Sequence, residues 1–313
     1  MTMPSILAAT WSDGVFIFAG ATRRQELAGH SLRALARDQD GGAFGIVDGH
    51  SLRRRSRDGA WSTIATSQLD LACVAAVGDV IYLGTDDARV LRVSRNGEVE
   101  PLSGFGTVPG RDTWYAGSAL INGRAVGPPL GVRSMTATSD GAALLVNVHV
   151  GGIPRSTDGG VTWQPTIAVD SDVHEVCGHP VRPRTVIAAA AIGLCISRDG
   201  GGTWTVEQEG MHATYCSAVA FSDEDILVAA STDHFAARGA VYRRPIDGND
   251  PLHRVRGLPE WLGGIVDTGC IATLGSALAV ADKAGNLYAS ADAGHSWVHR
   301  GSGLPGMSKL LLI

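Results

Sequence analysis

Apolar positions along this chain fall in short runs, with no stripe at helical spacing. Residues 173–206 show the pattern complete: "VHEVCG", "TVIAAAAIGLCIS" and "TWTV" alternate with the polar stretches "HPVRPR" and "SRDGGG". Runs this short, rich in Val, Ile and Ala and bounded by Gly, Pro, Asp and Ser, predict strands joined by tight turns. Units of this kind recur, starting near Ser5, Ser31, Leu69, Val132, Val173, Tyr215 and Gly269. The first begins on its second strand, while the chain ends on an orphan apolar run, "KLLLI" at 309–313. That run can supply the missing innermost strand and so close the array without open sheet edges. The prediction is a single all-β domain over residues 1–313: a seven-bladed β-propeller with four antiparallel strands per blade.

One polar phrase punctuates the units. "STDGGVTW" (156–163), "SRDGGGTW" (197–204) and "SADAGHSW" (290–297) share the pattern S-x-D-x-G-x-x-W. The first two tryptophans lie ~40 residues apart, about the length of one four-stranded blade. Each residue type suits a hairpin. Aspartate accepts hydrogen bonds from turn amides, glycine supplies positive φ, and tryptophan buries a large flat surface. "SRDGAW" (56–61), "SRNGEV" (94–99) and "RRPIDGND" (243–250) occupy the corresponding places in other units. On these residues the chain resembles the Asp-box (BNR) repeat proteins: sialidases, sortilin-type receptors, some glycoside hydrolases and photosystem assembly factors. The resemblance implies that the phrase joins the third and fourth strands of a blade, away from the binding face, and stabilises a turn.

Composition narrows the class. Hydrophobic content of 44% and charged content of 18% describe an ordinary globular chain, and Gly 41 suits many tight turns. A net charge of -5 argues against a phosphate-binding, nucleic-acid function. The basic run "RRRSR" (53–57) is expected to be a solvated strand edge. No secretory leader or membrane-length apolar run is visible. Cys73, Cys177, Cys216 and Cys270 fall in apolar runs without metal-type spacing. These features predict a reduced, cytoplasmic protein with no membrane partner.

Candidate chemistry concentrates on one face. In a propeller that face carries the blade-to-blade connections and the loops between second and third strands. The former contain His30, His174 and His212; the latter contain His50, His149 and His234. Asp48, Asp70, Asp86, Asp87, Asp170, Asp172, Asp233 and Asp267 join them, with Arg133 and Tyr215 on inner strands. Imidazoles oriented by carboxylates can bind a metal or move a proton near neutral pH. The candidate metal ligands are His30, His149, His174 and His212, for a divalent ion. The candidate catalytic groups are His174, His212, Asp172, Tyr215 and Arg133. "HEVCGH" (174–179) is not a ligand pair, because its two histidines lie roughly 16 Å apart along a strand. The long insertion at 104–132 carries Arg111, Trp114, Tyr115 and Arg124 and reads as a lid or wall. Trp114, Tyr115 and Trp261 are candidate substrate-stacking groups.

Three functions follow. The first choice is a small-molecule enzyme of hydrolase, lyase or isomerase type, using a His- and Asp-rich axial pocket. A non-catalytic propeller binding a protein or ligand is the second. A glycoside hydrolase is the third, but the early Phe/Tyr-Arg-Ile-Pro motif of sialidases is missing, and "GIPR" (152–155) has the wrong order and position.

Overall fold

The computed structural model describes residues 3–94, 96–116, 119–121, 124–126 and 130–313, with backbone alone for 119–121 and 124–126. Seven antiparallel sheets form a ring, and in blades 2–7 the strands run from the axis outward in chain order. Blade 1 borrows its inner strand from the far end of the chain. Met307–Leu312 pairs with Ile6–Thr10, and Val15–Ala19 and Thr22–Glu26 follow outward. The other inner strands are Leu32–Arg37, Leu71–Val77, Val132–Ala137, Val173–Gly178, Tyr215–Ser222 and Ile271–Leu274. Each touches the next around the axis. The chain is a seven-bladed β-propeller.

Burial explains the apolar runs. The second strands Ala43–Val47, Leu144–Val148, Val186–Ala190 and Ala277–Ala281 are buried at every position. Neighbouring blades cover both faces, so alternation disappears and a continuous apolar run remains. The outermost strand Thr22–Glu26 is largely exposed and polar.

The S-x-D-x-G-x-x-W phrases join third to fourth strands, on the end of the ring opposite the loops between second and third strands. In blade 5, Ser197 Oγ accepts the Gly201 amide at 2.8 Å and donates to Asp199 Oδ1 at 2.8 Å. Asp199 accepts the amides of Gly202 and Thr203 at 2.9 and 3.0 Å. Gly201 has φ +85°, and a Cβ there would sit 2.1 Å from Leu145 Cδ2, so glycine is needed on both counts. Trp163 Nε1 donates to Gly160 O at 2.9 Å, and Trp204 Nε1 reaches Thr166 Oγ1 of blade 4 at 3.1 Å. Ser56 and Ser94 make the same Oγ-to-amide closure in the shortened copies.

The basic run at 53–57 is not a strand edge. Ser51–Arg55 is the third strand of blade 2, paired on both sides. Arg55 is only 2% exposed, because Glu26 of blade 1 meets it with both oxygens at 2.7 and 2.8 Å and also accepts Trp61 Nε1. All five cysteines are free, four of them buried and Cys177 half-buried. Burial pushes the thiols of Cys73, Cys177 and Cys195 up to about 12, so they are inert apolar filler.

One irregularity sets up the site. The ladder between inner and second strands shifts register between Leu32 and Ala34, Leu71 and Cys73, Val132 and Ser134, Val173 and Glu175, and Cys216 and Ala218. The extra residue is Arg33, Ala72, Arg133, His174 or Ser217. A β-bulge re-aims its side chain, and Arg33, Ala72 and Arg133 line the axial cavity while His174 enters the polar cluster beside it.

Candidate metal centre beside the axial cavity

A cavity of about 580 Å³ opens on the face formed by inner-strand starts and second-to-third-strand loops. Its wall includes Trp11, Arg33, Asp86, Arg133, His234 and Asp267. The charged groups are paired. Arg33 Nη1 lies 3.0 Å from Asp86 Oδ2, and Arg133 Nη2 lies 3.6 Å from Asp267 Oδ1 and 3.3 Å from Thr268 Oγ1. Trp11 is 54% exposed and is the large aromatic on the wall.

Beside this cavity, between blades 4 and 5, three groups converge. His149 follows the second strand of blade 4, and its amide donates to Gly131 O at 2.9 Å. Asp172 precedes the inner strand of blade 5 in a left-handed conformation (φ +48°), which Asp tolerates. His174 is the bulged residue of that strand. Nε2 of His149 is 3.4 Å from Asp172 Oδ1, and Nε2 of His174 is 3.6 Å from Asp172 Oδ2. One donor atom from each residue lies within 4.8 Å of the others. Tyr215 leans against His174, ring centroids 4.5 Å apart.

Tautomer and spacing say what this cluster can hold. His174 Nδ1 lies 2.6 Å from Cys216 O, so Nδ1 carries the proton and donates it. In the neutral ring, Nε2 then presents a lone pair toward Asp172. His174 Nε2, Asp172 Oδ1 and His149 Nδ1 are buried without hydrogen-bond partners among the described residues. Separations of 3.4 and 3.6 Å are too long for good hydrogen bonds. Each is close to the edge, about 3.3–3.6 Å, of a tetrahedral shell with bonds of about 2.0–2.2 Å, although the two run to different oxygens of Asp172 and the full donor set lies within 4.8 Å. The donor set of two imidazoles and a carboxylate suits a borderline divalent cation.

Electrostatics keep His149 and Asp172 in their binding forms. Burial first, then Arg133, pushes the His149 imidazole down to about 3, so the ring stays neutral. Burial works against the Asp172 carboxylate, but its charged and hydrogen-bonding surroundings, Arg133 among them, hold its pKa below the ordinary value. Burial and Asp172 raise the Tyr215 phenol, which therefore keeps its proton.

Of the four candidate ligand histidines, only His149 and His174 come together. His30 is bound to Asp48, Nδ1 to Oδ2 2.6 Å, on the exposed surface of blade 2. His212 lies at blade 6, with Nδ1 2.7 Å from Tyr242 Oη and its ring edge-on to Trp261 at 4.9 Å. His30 is held by Asp48 and His212 by Tyr242, a third-strand residue of blade 6, and neither belongs to this centre. His179 is also separate, its Nδ1 accepting the amides of Val181 and Arg182.

The aromatic candidates stand elsewhere than over the cavity. Trp114 is buried against Phe105 beside Trp163, and Arg111 stacks on it at 4.7 Å. Trp261 lies between Arg254 and Arg238 at 4.0 and 4.9 Å. Tyr115 is exposed and absent from the cavity wall. The first half of the insertion is thus packed down between blades 3 and 4. Ala119–Ile121 pairs antiparallel with Arg124–Val126, and the side chain of Arg124 lies outside the described residues. Packing gives Trp114 another task. A Cβ on Gly151 would lie 3.0 Å from Trp114 Cδ2, and Tyr115 N donates to Val150 O at 3.3 Å, so this segment braces the turn after His149. Trp11 and Arg33 were missed in the sequence. The repeated "LRA", "VRS" and "VHE" at inner-strand starts are the signal that could have found the bulge positions.

No family model matches the sequence, and no curated protein matches it. Solved structures do. A candidate 6-phosphogluconolactonase from Bacteroides fragilis superposes with TM-score 0.63 at 15% identity, covering 100% of this chain and 98% of that one. An ancestral GH74 enzyme gives TM-score 0.62 at 12% identity, over 100% of this chain and 40% of that one. The GH74 xyloglucanase from Xanthomonas campestris gives 0.56 at 15% identity, over 86% and 45%. These likenesses establish the fold alone.

Proposed function

We propose that this protein is a metal-dependent enzyme acting on a small polar molecule in the axial cavity, of the hydrolase, lyase or isomerase type. The observation that carries the reading is the buried His149–Asp172–His174 cluster, with its tautomer set by Cys216 O and its donors at ion-binding separation. A divalent cation held there would polarise a carbonyl or activate water. The chain's own groups supply the rest. Tyr215, protonated and packed on His174, is a proton donor; Arg133, on the cavity wall and 3.6 Å from Asp267, orients an oxygen-bearing substrate. His234, on the same wall and kept neutral first by burial, is a candidate base. Two structurally similar proteins carry hydrolase names, lactonase and xyloglucanase, which supports the reading weakly at such low identity. The turn phrases are the part consistent with an Asp-box propeller, and they serve as stitching.

The test is metal analysis of tag-free protein, followed by turnover of a panel of small lactones, esters and glycosides with and without chelator. Stoichiometric ion that is lost in both His149→Ala and His174→Ala, with chelator-sensitive turnover, supports the proposal. Protein that binds no divalent ion at micromolar concentration would overturn it.

A further inference from the structure

The seam between blades 4 and 5 holds one more buried polar side chain without a protein partner among the described residues. Asn147 lies in the second strand of blade 4, Leu144–Val148, and is 0% exposed. Neither Oδ1 nor Nδ2 has a hydrogen-bond partner among the described residues. A buried amide left unpaired costs on the order of 1–3 kcal/mol, and native chains seldom keep one without a use.

Its direction follows from strand alternation, which the packing verifies on both faces. Leu144, Val146 and Val148 belong to the cluster shared with Cys73, Tyr82 and Val90 of blade 3. Leu145 packs the other way, with Val173, Val176 and Val186 of blade 5. Asn147 and His149 share the parity of Leu145. They therefore face blade 5, the blade that supplies Asp172 and His174. Five partnerless buried polar atoms occur along this seam: both atoms of the Asn147 amide, His149 Nδ1, Asp172 Oδ1 and His174 Nε2. Three of them, Asn147 Oδ1, Asp172 Oδ1 and His174 Nε2, carry lone pairs that a shared cation would engage.

We propose that Asn147 is the fourth donor of the centre, offering its carboxamide oxygen to the divalent cation held by His149, Asp172 and His174. This rests on the metal reading above. An amide oxygen is a neutral, hard donor, so the set becomes two imidazole nitrogens and two oxygens, a combination that suits Mn²⁺, Co²⁺ or Zn²⁺ better than soft ions. Because the amide has no partner in the metal-free protein, replacing it with an apolar isostere should not weaken the metal-free fold.

The experiment uses the full chain, stripped of metal and free of a histidine tag. Co²⁺ and Zn²⁺ are titrated into wild type, Asn147→Leu, Asn147→Asp and His149→Ala, reading affinity, the visible Co²⁺ spectrum and the metal-free Tm. The expected result is a metal-free Asn147→Leu that melts at or above wild type, binds Co²⁺ about 10–100-fold more weakly and shows altered visible bands. Asn147→Asp, which keeps an oxygen donor, should bind within a few-fold of wild type or tighter. Wild-type affinity and an unchanged spectrum in Asn147→Leu would overturn the proposal while leaving the three-residue centre intact. A metal-free Asn147→Leu that melts well below wild type would also overturn it, by revealing a structural partner for the amide. Failure of wild type itself to bind either ion defeats the underlying metal reading instead.

Discussion

At the scale of single residues, a proton on the right nitrogen does most of the organising. Cys216 O takes the Nδ1 proton of His174, so Nε2 is the atom left to face Asp172. Asp172→Asn would keep the shape and remove the charge that two imidazoles share. Metal affinity should fall by at least about 10-fold, measured by competition with a chelating dye. The turn aspartates make a different prediction, about acid. Hydrogen bonds from amides and hydroxyls hold Asp158 and Asp199 down to about 2, below the unfolded value of about 3.9. A carboxyl depressed in the folded state contributes stability above the unfolded value and loses it as pH falls through the folded one. Wild-type Tm should therefore drop between about pH 4 and pH 2. Asp199→Asn should melt lower than wild type at pH 7 and show a shallower acid limb, with the two curves converging toward pH 2.

At the scale of elements, bulges and one brace convert a repetitive scaffold into a site. Regular alternation would send Arg133 and His174 to the face set by their neighbours; one extra residue in each of these two inner strands releases them. The turn after His149 is held in a costly form, since Val150, a β-branched residue, has φ +51°. Outliers of this kind persist only where surroundings over-determine them, and here Trp114 packs on Gly151 while Tyr115 N holds Val150 O. Trp114→Ala should cost about 3–5 kcal/mol by removing a buried aromatic. It should also weaken metal binding, although Trp114 touches no donor. Denaturant melts and Co²⁺ titration of the same variant check both halves.

At the scale of the whole molecule, ring closure and ligand binding govern stability. Met307–Leu312 pairs with Ile6–Thr10 across almost the entire length of the chain, and Leu312 is 0% exposed. Leu312→Ala should cost about 2–5 kcal/mol. Deleting residues 307–313 should do more than destabilise, because it opens the inner edge of blade 1 to pairing with other chains. Light scattering during a thermal ramp would show aggregation well below the wild-type Tm. Metal acts in the opposite direction. An ion at 100 times its Kd adds about 2.7 kcal/mol to the folded state, so Tm should rise on adding Zn²⁺ or Co²⁺ and fall back with chelator.

Local residue order by itself determined the ring. Short apolar runs, glycines at forced positive φ and the Ser–Asp–Gly–Trp turns are decided within a few neighbouring residues, and they repeat often enough to count blades and to foresee closure by 309–313. It also placed His149, Asp172 and His174 on one face. Only the tertiary structure decided which of the loop histidines meet, because adjacency around the axis depends on inner-strand neighbours and on bulges that break the two-residue period. The same physics moved Arg55 from an expected solvated edge into a buried pair with Glu26, and turned Trp114 from a stacking group into a brace. Contacts between blades join residues far apart in the chain, and no pattern within one repeat records them.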